Sequence, residues 1–123
     1  MDNVQFNDVF RRQMLHCKAL LVHKGREYVP GVAPVGATGD DTRDRLIQFK
    51  LAAHLQNETP EEALAGMMAK HTTSIYSMVM ETGQGVHHPL ETWAEKVTDH
   101  INYLVLLMAL VTERFGNPDN PEL

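Results

Sequence analysis

The sequence predicts an all-α fold, a four-helix-bundle-like single domain, and three observations predict it. Apolar residues recur at helical spacing in four segments, no segment alternates with a period of two, and glycine- and proline-bearing breaks divide the segments. One long and two short connections between four helices read as a bundle. A chain of 123 residues, 43% hydrophobic and 22% charged, suits one soluble globular domain. That domain is expected over residues 1–115. A frayed or disordered tail is expected over 116–123, where two prolines occur and no apolar period does.

The first helix is expected from about Phe6 to Lys24. Phe6, Val9 or Phe10, Met14, Cys17 and Leu21 follow its period, and Gly25 is placed to end it. Pro30, Gly31, Pro34, Gly36 and Gly39 then forbid a long regular element. Asp40, Asp41 and Thr42 offer caps for a second helix over about Thr42 to Gln56, with Leu46, Phe49 and Ala53 on one face. The third helix has the clearest start. Thr59 supplies a cap oxygen, Pro60 suits the first helical position, and Glu62 completes a capping box. Leu64, Met67, Met68, His71, Ile75, Met78 and Val79 give its apolar side, and Gly83 or Gly85 ends it. After His87-His88-Pro89 the fourth helix runs to near Gly116.

That fourth helix carries the most information. At about 100° per residue, Glu91, Glu95, Asp99 and Asn102 share one side within roughly 80°. The same side continues into Leu106 and Leu110, while Trp93, Val97, Leu104, Met108 and Val111 lie on the opposite face. A helix apolar nearly all round at its end is covered on more than one side, so its polar stripe borders a cleft, a subunit contact or both. Oligomerisation through this C-terminal helix is the corresponding expectation.

Composition excludes several function classes. A net charge of −5 argues against direct DNA binding but not against a nucleotide held through a metal ion. The single cysteine, Cys17, forbids an internal disulfide and reads as a buried structural thiol. The start of the chain lacks the basic-then-apolar order of a secretory signal, and the apolar run from Tyr103 to Val111 falls short of the roughly 18 residues a membrane span needs. A cytoplasmic location is expected, with no membrane partner. There is no Walker A loop and no HExxH, and Ser74 lacks a nucleophile-elbow context. His87 and His88 read as a solvated pair or as ligands of a transition metal.

Two readings of the acidic stripe stand side by side. It is either a solvated helix start favoured by the dipole, or a set of oxygen ligands in which Glu91, Glu95 and Asp99 hold Mg2+. Lys70 either snorkels to solvent or pairs with Glu95 or Asp99 across the bundle and attracts phosphate. His71 reads as a hydrogen-bonded core histidine. Tyr28 and Tyr103 read as packing residues or as platforms for a base.

The chain also resembles a known group. Lys24…Glu27-Tyr28, DRLIQFKLAA, TPEEALAGMMAKHTTSI and EKVTDHINYLVLL are similar to elements of small helical proteins of phages and prophages, over about Lys24 to Glu113. The run Glu91, Glu95, Asp99, Asn102, Tyr103 resembles the ExxxDxxxDxxNY helix of the nucleotide-modification-associated phage domain, with Glu95 in place of the first Asp. More distantly, the chain is similar to the MazG-type all-α nucleoside triphosphate pyrophosphatases, with Glu95 and Asp99 standing for part of their ExxD motif, one residue out of its spacing. Their EExxE motif has only Glu61-Glu62 as a counterpart.

What the resemblance implies is a phage-type accessory protein acting on or binding nucleotides in the host cytoplasm. As a Mg2+-dependent nucleoside triphosphate pyrophosphohydrolase it would use Lys70, Glu95 and Asp99 in catalysis. Its ligand would meet Lys24, Tyr28, Arg45, Lys70, Asn102 and Tyr103. The alternative is a non-catalytic protein that sequesters a nucleotide or nucleotide signal, or blocks a host protein. A homo-oligomer is expected in either case.

Overall fold

The computed structural model describes residues 1–27, 44–117 and 119, apart from the side chains of 24–27. Within them the fold is all-α, with four helices and no strand: α1 Asn3–Glu27, α2 Ile47–Gln56, α3 Pro60–Gly83 and α4 Leu90–Phe115. None of these helices is long and apolar enough to cross a membrane.

Local chemistry sets most of the helix ends. At α3 the Thr59 hydroxyl accepts from the Glu62 N–H at 3.1 Å, and the Glu62 carboxylate accepts from the Thr59 N–H at 3.2 Å. This is the expected capping box, with Pro60 at the first helical position. Asn57 ends α2 in the left-handed conformation at φ 54°, where asparagine is tolerated. Two expectations are corrected. The first helix continues through Gly25 to Glu27, because glycine permits a helix end without forcing one and costs only about 1 kcal/mol inside a helix. The second helix begins at Ile47 rather than Thr42. Asp44 makes the turn there, its carboxylate accepting from the Leu46 N–H at 3.0 Å and its carbonyl from the Ile47 N–H at 3.4 Å. The expected caps Asp40 to Thr42 lie outside the described residues.

The core forms where α2, the start of α3 and the end of α4 meet. Leu46, Phe49, Leu64 and Leu110 are buried there, with Met67, Tyr103, Leu106 and Leu107 packed around them. Leu64 is fully enclosed, a burial that stabilises by about 1.5–3 kcal/mol. The short turn after α3 returns α4 antiparallel along it, and His88 Nε2 lies 2.5 Å from Glu81 Oε2, edge-on to Trp93.

Helix α1 is attached differently. It packs on α4 and on no other helix among the described residues. Gln13 Nε2 donates to the enclosed Thr98 Oγ1 at 2.8 Å, and Cys17 is buried beside it, as the sequence predicts. Val9 shares a groove with Trp93, and Leu21 shares a cleft with Asn102 and Leu106, so α1 runs in the same direction as α4. Helix α4 is thus covered on two sides, by α1 and by α2–α3. Its third side carries Leu104 and Met108, each 48% exposed.

Candidate functional site

The polar stripe of α4 sinks into the protein along its length. Glu91 and Glu95, on the first turns, are exposed. One and two turns later the Asp99 side chain retains 16% of its accessible surface and Asn102 only 5%. The reason is geometric: the start of α2 and Leu21 of α1 close on α4 at Asp99 and beyond. There they enclose a cleft of about 270 Å³ between Leu21 of α1, Arg45, Gln48 and Phe49 at the start of α2, Met67 of α3, and Asp99 and Asn102 to Leu106 of α4.

Asn102 is the anomaly of this cleft. Its carboxamide is buried, and among the described residues neither Oδ1 nor Nδ2 has a hydrogen-bond partner. A buried polar atom left unpaired costs about 1–3 kcal/mol, so both ends of one amide are seldom left so without a reason. The amide offers one acceptor and two donors.

Arg45 stands across from it. Its Nη2 donates to the Leu21 carbonyl at 3.2 Å, which ties the α2 entry to α1. Burial pushes its guanidinium below the ordinary value, and no carboxylate pairs with it among the described residues. Asp99 has a histidine neighbour, His71 Nδ1 at 3.9 Å from its Oδ2, and the His71 ring lies 4.9 Å from that of Tyr103 at 38°. Beyond them His100 Nε2 and Thr72 Oγ1 are 3.3 Å apart.

The structure therefore brings together Arg45, Asp99, Asn102 and Tyr103 from the predicted residues, and leaves others out. Lys70 is exposed, and the side chain facing Asp99 is its neighbour His71, turned 100° from it around α3. Glu91, Glu95 and Asp99 share a helix face but spread over two turns, so only Asp99 enters the cleft. No group of three or more His, Cys, Asp or Glu is placed to hold a metal ion among the described residues. Lys24 and Tyr28 lie outside the described side chains.

Sequence reasoning passed over Gln48, Leu21 and Met67 as cleft residues. Arg45, Gln48 and Phe49 are spaced i, i+3, i+4, which puts all three on one side of a helical turn and was the available signal. Comparison with models of known families, with curated proteins and with solved structures finds no match.

Proposed function

We propose that this protein binds a nucleotide in the cleft beside Asn102 and holds it without turnover. The observation that carries the reading is the buried Asn102 carboxamide, with both polar ends unpartnered among the described residues. A nucleobase edge presents adjacent donors and acceptors, and an asparagine amide pairs with such an edge through two hydrogen bonds. The base would lie among Phe49, Met67 and Tyr103, whose apolar and aromatic surfaces line the same cleft. Arg45, desolvated and lacking a carboxylate partner among the described residues, suits the phosphate. The Asp99 carboxylate, which also lines the cleft, would accept from a sugar hydroxyl. The resemblance to phage proteins supports the same reading, since the Asn-Tyr pair of the fourth helix is the pair that lines the cleft.

Binding is preferred to pyrophosphate release because the cleft gathers recognition groups, with Asp99 the one carboxylate among its described lining residues. The experiment is a thermal-shift and calorimetric panel of ribo- and deoxyribonucleotides, each with and without Mg2+. A nucleotide present at 100 times its Kd should stabilise the protein by about 2.7 kcal/mol. Asn102→Leu should remove that stabilisation while the protein stays folded. No shift with any nucleotide overturns the proposal. Appearance of monophosphate and pyrophosphate, lost in Asp99→Asn, replaces it with the hydrolase.

A further inference from the structure

The third side of α4 is apolar from end to end. Leu90, Val97, Ile101, Leu104, Val105 and Met108 fall within about 100° of one another. From Leu90 to Met108 the stripe spans about 27 Å. Its first half forms one wall of a groove of about 450 Å³ against α1, where Val9 faces Trp93 and Val97. Beyond the groove Leu104, Val105 and Met108 are each about half exposed. On α1, Phe6, Val9 and Phe10 lie within a similar arc and are also more than half exposed.

We infer that this α1–α4 surface is where a second copy of the chain docks, two α1–α4 pairs closing an intermolecular four-helix bundle about a two-fold axis. Three properties fix the occupant as a copy. Helix α1 has only one helical neighbour among the described residues, whereas a bundle helix is flanked by two.

The area also fits. Phe6, Val9, Phe10, Leu90, Leu104, Val105 and Met108 are each near half exposed or more. At roughly 100 Å² apiece they leave about 700 Å² of apolar surface. That approaches the roughly 800 Å² per partner of a standard interface.

The third property is charge. A two-fold axis sets a stripe against itself, so any charged member would meet its own charge. No Asp, Glu, Lys or Arg falls on this arc of α4 between Leu90 and Phe115, although the opposite side of the same helix carries four acids, and Arg12, which lines the groove from α1, is paired with Asp8 at 2.7 Å.

The test uses the whole chain. Sedimentation equilibrium should return twice 13.9 kDa at micromolar concentration and approach 13.9 kDa on dilution. The emission of Trp93, the only tryptophan, should shift red as the groove opens. Leu104→Glu/Met108→Glu should give a single-chain mass with unchanged helical circular dichroism. If that pair loses its helicity, Val105→Ser in the otherwise unaltered chain should still weaken association at least tenfold. A single-chain mass at every concentration overturns the inference, as does a dimer that survives the folded double variant. Binding of the single chain to anionic vesicles would assign the surface to a membrane instead.

Discussion

Replacing Asn102 by leucine separates a residue kept for binding from one kept for stability. The two side chains have similar shape, and the surroundings of Asn102 include Leu106, Met67 and Phe49. In the wild-type chain two amide atoms are buried without partners, each carrying a penalty of about 1–3 kcal/mol. Taking the low end for both, because the cleft opens to solvent, Asn102→Leu should stabilise the ligand-free protein by about 2 kcal/mol. Unfolding entropy of about 2.1 cal/mol/K per residue over 123 residues converts 1 kcal/mol into roughly 4 °C, so Tm should rise by about 8 °C. Differential scanning calorimetry of both proteins, with and without nucleotide, measures this directly. Wild type should gain stability on adding ligand and the variant should not. A lower Tm for ligand-free Asn102→Leu would mean that the amide is satisfied in solution, and the reasoning from its burial would fail.

Two further outcomes follow from contacts elsewhere. Thr98→Val removes the acceptor of Gln13 at the α1–α4 contact, which should cost about 1 kcal/mol. Amide exchange should accelerate in α1 while α2 and α3 keep their protection, and a uniform change in all helices would contradict the peripheral attachment of α1. Lys50 Nζ lies 2.7 Å from Asp44 and 2.5 Å from Glu113, joining the start of α2 to the end of α4. Hydrogen bonds to Asp44 and Glu113 hold Lys50 above its ordinary 10.5. Burial alone would raise the Asp44 carboxyl, but its bonds to Lys50 and the Leu46 N–H outweigh that and hold it below 3.8. The Asp44–Lys50 pair is therefore intact between about pH 4 and pH 10. It weakens as pH falls through the lowered Asp44 value and as pH rises through the raised Lys50 value. With all three groups a third or more exposed, Lys50→Met should cost under about 1 kcal/mol at neutral pH. That difference should vanish in strong acid, and one that persists there would refute the electrostatic account.

Four helices were legible because each carries its own signal: the capping box at Thr59 and Glu62, the apolar period of α4, and the breaks between helices. The start of α2 was not, since Asp40, Asp41 and Thr42 each can cap a helix, as can Asp44 just beyond them, and only packing of Leu46 and Phe49 against Leu64 selects among registers. The candidate site was half legible. Helical spacing placed Asp99, Asn102 and Tyr103 together, but it also grouped Glu91 and Glu95 with them, because periodicity gives direction around an axis and nothing about depth along it. Lys70 and His71 show the same limit across helices: both border the apolar side of α3, and a turn of 100° decides which one meets Asp99.

By itself, then, the sequence determined what local forces control: helix existence, the caps of α3, the burial of Cys17, and a polar stripe that runs into an apolar one on α4. Only the tertiary structure decided that α2 and the end of α1 close over the later part of that stripe. Burial depends on which distant surfaces arrive, and those arrivals turn one residue of a polar row, Asn102, into an unpaired amide in a cleft while Glu91 and Glu95 remain in water.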